Sequence, residues 1–167
     1  MTWRTGHIEP FWQTNHRELA YRRGKYNNPS DLELWKKLGF KLNDAGGDVY
    51  DMKNVMPDWA NKFFTLFKGN NVGISFFRMN TGDILPAHRD TYEVYRKINN
   101  IADSSTINRV IIFLEDWCPG HIFEIAETPI TNWKAGDYVL WNYNTEHMAA
   151  NIGLEPRYTM QITFTDV

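Results

Sequence analysis

Residues 147–165, HMAANIGLEPRYTMQITFT, end in a run that alternates without a break. Tyr158, Met160, Ile162 and Phe164 fall on one side of an extended chain, and Arg157, Thr159, Gln161 and Thr163 fall on the other. Such alternation, carried by Thr, Ile and aromatic residues, marks a strand. The apolar side demands a core. The polar side admits two readings: on an open sheet it meets water, and in a barrel-like jelly roll it lines a pocket with Arg157 in the wall. Upstream, the same period recurs at 72–79, 83–88, 107–115, 121–126, 128–133, 137–143 and 146–152, and 157–165 completes the set. Asn80-Thr81-Gly82, Cys118-Pro119-Gly120 and Ala135-Gly136 separate the runs as turns. Short strands at this spacing, with no helices between them, predict an antiparallel sandwich or barrel. The long connection 91–106 breaks the pattern, and a loop of that length beside a polar motif has the character of a lid.

Before residue 70 the period is different. Ser30-Asp31 with Glu33 marks a helix start, Leu34, Trp35 and Leu38 supply an apolar stripe, and Gly39 stops it. A second helix is expected over 57–68, with Pro57 in its first turn and Trp59, Phe63, Leu66 and Phe67 as a core-facing stripe. Residues 1–28 have no clean period but carry Trp3, Phe11, Trp12 and Tyr21, as a segment that wraps a core does.

The chain of 167 residues is 43% hydrophobic with one cysteine, which suits a single domain large enough to need no disulfide or structural metal. Its expected division is a supporting part, 1–70, and a β core, 71–167. Cys118 alone forms no internal bridge, and no base is placed near it in sequence to make it a nucleophile; a reducing, cytoplasmic setting is expected. No apolar run reaches a membrane span of about 18 residues, and no secretory apolar region is expected at the start. The net charge of −2 disfavours nucleic acid as a partner, although residues 1–41 hold eight Lys/Arg against four Asp/Glu. That basic segment is expected to dock on the acidic remainder rather than to await an anionic partner.

His88-Arg89-Asp90 ends a strand candidate, where alternation turns residues i and i+2 to one side. An imidazole and a carboxylate so placed can hold one metal ion. The other such triplets, His7-Ile8-Glu9 and His16-Arg17-Glu18, lie in the aperiodic N-terminal segment and are not expected to bind metal. A third ligand has two candidates in the strand region, His121 and His147. Two histidines and one carboxylate leave positions open on an iron(II) ion.

The stretch 72–167 resembles the Fe(II)/2-oxoglutarate-dependent oxygenases, most of all their prolyl-hydroxylase-like branch and compact phage or bacterial relatives. The resemblance rests on GDILPAHRD (82–90), NRVIIFLED (108–116), PGHIFEI (119–125), WKAGDYVLWN (133–142) and HMAANIGLEPRYT (147–159). Gly82 and Leu85 match the approach to the HxD pair, and Lys134, Gly136 and Asp137 match the strand before the distal histidine. The resemblance implies a mainly β double-stranded β-helix (a cupin-like jelly roll) with N-terminal helices. It implies Fe(II) on His88, Asp90 and His147, and 2-oxoglutarate as co-substrate with its distal carboxylate on Arg157 and Thr159. With O2 as the second co-substrate, such an enzyme hydroxylates a C–H bond and releases succinate and CO2. The chain departs from the pattern at Phe77 and Met79, where related enzymes often carry a polar residue, and at Arg157, where prolyl hydroxylases usually have Lys.

The expected substrate is a peptidyl residue or a small molecule; neither its identity nor the oligomeric state is legible. Two other classes fit the residues less well: a cupin-like metalloenzyme without 2-oxoglutarate, and a non-catalytic jelly-roll binding module. Among the remaining candidates, His121 either lines the pocket mouth or merely opens a strand. Arg109 either faces the site or pairs with an acidic residue. Tyr92, Tyr95 and Arg96 occupy the lid or belong to a solvated loop, and Trp133 and Trp141 are expected in the core.

Overall fold

The computed structural model describes residues 3–41 and 46–167. Its N-terminal part holds β1 (Trp3–His7), β2 (Arg22–Arg23), α1 (Pro29–Lys37), β3 (Asp48–Asp51) and α2 (Phe63–Leu66). Next come β4 (Asn70–Met79), β5 (Ile84–His88), α3 (Glu93–Asn99), β6 (Ile107–Phe113), β7 (His121–Ile125) and β8 (Thr128–Ile130). The chain closes with β9 (Asp137–Asn142), β10 (His147–Asn151) and β11 (Arg157–Thr165). All eight alternating runs therefore become strands.

The described strands form two antiparallel sheets, one of seven strands in the order β1-β9-β6-β11-β4-β3-β2 and one of four in the order β5-β10-β7-β8. Met79, Ile111, Phe113, Val139 and Trp141 of the large sheet pack between the sheets against Phe123, Ile125 and Ala149 of the small one, with Trp133 beside them. The far face of the large sheet carries a second cluster, in which Phe76, Val110, Ile112, Met160 and Ile162 are covered by Phe63, Phe11 and Trp12. This is the double-stranded β-helix.

β11 lies at the centre of the large sheet, between β6 and β4, so both of its faces are covered. Tyr158, Met160, Ile162 and Phe164 face the N-terminal layer. Arg157, Thr159 and Thr163 are 4%, 1% and 6% exposed. Of the two readings of the polar face, the solvent one is thus excluded.

The basic N-terminal segment docks on the body, as expected. Arg17 reaches Glu115 at 2.6 Å and Arg23 reaches Asp83 at 2.7 Å. The Trp12 indole donates to the Leu114 carbonyl at 2.9 Å. β1 pairs along β9 from Trp3↔Trp141 to His7↔Asp137. Gly136 makes room for that strand: its φ is +94°, and a Cβ there would come within 2.0 Å of the Ile8 carbonyl oxygen.

Three local expectations differ from what forms. The helix expected over 57–68 is a 3-10 turn, Asp58–Lys62, running into the short α2. Ala60 and Phe63, three residues apart and both fully buried, fit the tighter repeat of three. Phe67 has left the helix to meet Tyr138 edge-on at 5.2 Å. In α1 the cap is Asn28, whose side chain accepts from the Ser30 N–H, and Trp35 is buried while Leu34 and Leu38 stay exposed. The connection after HxD contains α3, bounded by left-handed Tyr92 and Asn100. No described helix is long and apolar enough to cross a membrane.

Candidate metal centre

His88 closes β5 and His147 opens β10, and the two are paired directly across the antiparallel ladder. Directly opposed residues point to the same side of a sheet. Their ring centroids are 4.3 Å apart. Asp90, two residues beyond β5, brings its carboxylate to 3.6 Å from His88 Nε2 and 3.8 Å from His147 Nε2. One ligand atom from each residue lies within 4.8 Å of the others, the one such cluster among the described residues.

Backbone carbonyls fix the orientation of both imidazoles. His88 Nδ1 lies 2.8 Å from the Pro86 carbonyl oxygen and His147 Nδ1 lies 3.1 Å from that of Thr145. A carbonyl only accepts, so each Nδ1 carries the proton and each Nε2 offers its lone pair toward Asp90. Burial pushes the His147 imidazolium down to about 4, which keeps the ring neutral and ready to ligate. Burial acts to raise the Asp90 carboxyl, but the Arg109 guanidinium outweighs it and holds the group ionised, below its ordinary range. Tyr26, Trp35 and Trp141 wall the pair in: Tyr26 lies edge-on to His88 at 5.3 Å, and Trp141 lies 4.8 Å from His147.

The polar face of β11 leads from this cluster into the barrel. Arg109 NH2 lies 3.4 Å from Asp90 Oδ2, and its NH1 donates to Gln161 Oε1 at 3.2 Å. Two and four residues back from Gln161 on the same face stand Thr159 and Arg157. Arg157 donates from NH1 to the Ile122 carbonyl at 2.7 Å, and its NH2 rests on Met79 Sδ, also at 2.7 Å. Its Nε and the Thr159 hydroxyl are buried with no hydrogen-bond partner among the described residues. Burial without a carboxylate pushes the guanidinium down to about 10. A buried cation and a buried hydroxyl, both short of partners, form a site for an anionic group.

The other candidates separate cleanly. His121 stands apart from the cluster; its Nε2 donates to the Glu155 carbonyl at 2.8 Å and its ring stacks on Trp133. Both alternatives for Arg109 hold, since the acidic residue it pairs with is Asp90. Tyr92 and Tyr95 line a cleft beside Asp90, whereas Arg96 turns back to the Ala102 carbonyl. His7 pairs with Asp137 and Glu9 at the surface, and His16 with Glu115. Trp133 and Trp141 are core, and Cys118 Sγ lies 3.8 Å from the Asp116 carbonyl. Sequence reading missed Asn151, which is fully buried; its amide donates to the carbonyls of Met79 and Glu155 and so ties down the turn that delivers Arg157. An asparagine inside an alternating run was the available signal.

Among solved structures, the chain is similar to a prolyl-4-hydroxylase from Pseudomonas putida, with TM-score 0.56, 13% identity and coverage of 92% of this chain and 96% of that one. It is also similar to the non-heme alpha ketoglutarate dependent epimerase SnoN from nogalamycin biosynthesis, with TM-score 0.57, 13% identity and coverage of 91% and 68%. An uncharacterized conserved protein with a double-stranded β-helix domain from Klebsiella pneumoniae gives TM-score 0.40 at 14% identity, covering 60% of this chain and 72% of that one. The fold is shared with the hydroxylase and the epimerase. No family model and no curated protein sequence matches the chain.

Proposed function

We propose that the protein is an Fe(II)- and 2-oxoglutarate-dependent oxygenase that hydroxylates a C–H bond of a small molecule or a peptidyl residue. The observation that carries the reading is Arg157, buried without a carboxylate partner on the face of β11 that leads to a His-Asp-His cluster. Neither a bare metal site nor a vestigial barrel has any use for that cation, whereas a dicarboxylate co-substrate supplies its missing anion. Likeness to a hydroxylase and to an alpha ketoglutarate dependent epimerase supports the fold on which the reading rests.

His88, Asp90 and His147 would hold the metal, on three ligands that leave positions open. Iron with 2-oxoglutarate and O2 supplies the oxidising power for an unactivated C–H bond. The chain itself contributes orientation. The Pro86 and Thr145 carbonyls hold both imidazoles in one tautomer. Arg109 holds Asp90 through Oδ2, the oxygen that also faces His147, and Arg157 with Thr159 would grip the distal carboxylate of the co-substrate. Met79 Sδ, a weak acceptor on a flexible side chain, is the group that carboxylate displaces from the guanidinium. Trp141 and the core around it exclude water from the imidazoles.

The test needs no knowledge of the substrate. Anaerobic addition of Fe(II) and then 2-oxoglutarate should raise the weak visible charge-transfer band of their chelate. That band should vanish in His88→Ala and weaken in Arg157→Ala. Tight iron binding with no band on adding 2-oxoglutarate overturns the reading in favour of a metalloenzyme of another kind, and binding of neither leaves a non-catalytic module.

A further inference from the structure

A cleft of about 640 Å³ opens beside Asp90, between α3 and the N-terminal segment, with Tyr26, Met52, Ile74, Tyr92, Tyr95 and Arg109 in its wall. That volume holds a small molecule, and the wall sets an apolar strip of Tyr26, Met52, Ile74, Tyr92 and Tyr95 among polar and charged residues. Its charged members are not equivalent. Arg22 is already paired with Asp51 at 2.7 Å, and Lys53 and Glu93 are exposed at the rim. Arg109 is different. It spends one N–H on Gln161, leans on Asp90 at 3.4 Å, and keeps a buried Nε with no partner.

Tyr92 gives an independent pointer to the same spot. It is 7% exposed, its hydroxyl is buried with no hydrogen-bond partner among the described residues, and its ring lies under the Arg109 guanidinium at 5.2 Å. The backbone at Tyr92 is left-handed, with φ +55°, a conformation that costs a non-glycine residue and persists where packing or function holds it. It places an O–H donor next to the Arg109 guanidinium, whose Nε alone lacks a partner, at the edge of the metal cluster. The Asp90 charge does not fill that need, because a bound cation would share the same carboxylate.

The geometry points to a substrate that carries a carboxylate of its own, bound by Arg109 with the Tyr92 hydroxyl, on an apolar or aromatic body lying in the cleft. A planar guanidinium matches a carboxylate's two oxygens. One guanidinium suits a monoanion better than a phosphate, and among internal peptide residues only Asp and Glu carry a free carboxylate, so peptidyl substrates in general do not meet the requirement. The substrate class is therefore a free amino acid or a small organic acid, and the carbon that reacts is a near neighbour of the carboxylate, since Arg109 touches a metal ligand. This inference rests on the oxygenase reading of the same site.

The test is anaerobic calorimetry on the full chain loaded with Fe(II) and 2-oxoglutarate, using 3-phenylpropionate, L-phenylalanine and L-leucine, each beside its amide. At least one acid should bind about tenfold or more tighter than its amide, the loss expected when a charge-assisted pair goes unmade. Arg109→Gln should erase that preference, Arg109→Lys should keep part of it, and Tyr92→Phe should reduce it. Equal binding of acids and amides, an intact preference in Arg109→Gln, or no acid bound at millimolar concentration overturns the inference and leaves Arg109 only to position Asp90. Should Arg109→Gln not fold, the acid–amide comparison in the parent and in Tyr92→Phe decides. The visible Fe(II)–2-oxoglutarate band of the parent separates the two failures. Without the band the oxygenase reading falls; with the band and no acid preference, only the substrate class does.

Discussion

His88 and His147 face each other across the β5–β10 ladder, and each donates its Nδ1 proton to the carbonyl two residues before it in the chain. The repeat is not accidental geometry. It turns two Nε2 lone pairs toward one carboxylate and leaves neither ring free to rotate, which is the orientation a metal needs before it arrives.

Removing either ring should therefore cost more than a generic histidine change. His88→Ala and His147→Ala should each weaken Fe(II) or Mn(II) binding by more than about a hundredfold, since loss of an outer hydrogen-bond partner alone costs ten- to a hundredfold. His121→Ala should leave the affinity within about threefold, because His121 bonds the Glu155 carbonyl away from the cluster. Metal content after dialysis, with calorimetry, checks both. A comparable loss in His121→Ala would mean that the ion sits elsewhere.

Arg157 makes an opposite pair of expectations for stability and for ligand binding. Without 2-oxoglutarate its buried charge has no anion, so Arg157→Met should change unfolding free energy by no more than about 1 kcal/mol, relief of desolvation offsetting one lost bond to Ile122. With 2-oxoglutarate at a hundredfold over its Kd, the parent should gain about 2.7 kcal/mol and the variant almost nothing. Denaturant unfolding with and without the co-substrate measures both terms. A large loss in the ligand-free variant would show that Arg157 is a structural cation.

The architecture was legible in the C-terminal residues because each strand there has one side that must be dry. β11 shows the limit of that logic: alternation gave its two faces, but whether Arg157 and Thr159 met water or a pocket depended on a second sheet. Strand β2, two exposed arginines, carries no pattern at all and pairs only because β3 offers an open edge. The long helix expected at 57–68 failed because tertiary packing of Ala60 and Phe63 overrode intrinsic period. Of the site, His88, Asp90 and His147 could be proposed from spacing and resemblance. The Asp90–Arg109 contact could not, since it joins a loop and a strand start nineteen residues apart with no shared period.

Asp48 makes acid sensitivity local. It is 8% exposed and takes Arg78 at 2.7 Å, Asn80 at 2.7 Å and Arg23 at 3.4 Å. Burial works to raise its carboxyl, but those donors prevail and hold it below its ordinary value. The folded chain thus binds that proton less readily than the unfolded chain, in which the group titrates near about 3.9. Its stabilisation is whole above that pH and is lost as the pH falls toward the folded value. Asp48→Asn should cost about 1–3 kcal/mol at neutral pH and progressively less below about pH 4. Urea midpoints at several pH values test this, and a cost independent of pH would place the effect in packing rather than charge.

Asn151 should prove the most costly polar residue away from the metal cluster. Its amide donates to the Met79 carbonyl at 2.9 Å and the Glu155 carbonyl at 2.8 Å, while Oδ1 accepts from the Gly153 N–H at 3.0 Å. Those three bonds join the end of β4 to the turn before β11, and Arg157 pairs with Met79 across the same junction. Asn151→Ala takes this partner from the buried Met79 carbonyl and Gly153 N–H, while the Glu155 carbonyl keeps His121, and should cost about 2 kcal/mol or more. Asn151→Asp keeps the shape but offers no donor to either carbonyl, so it should be at least as damaging. Denaturant unfolding ranks the variants, and 2-oxoglutarate titration of whichever folds should show weakened binding as Arg157 shifts. If Asn151→Asp matches the parent in both measurements, the amide does not hold this junction, and the placement of Arg157 needs another cause.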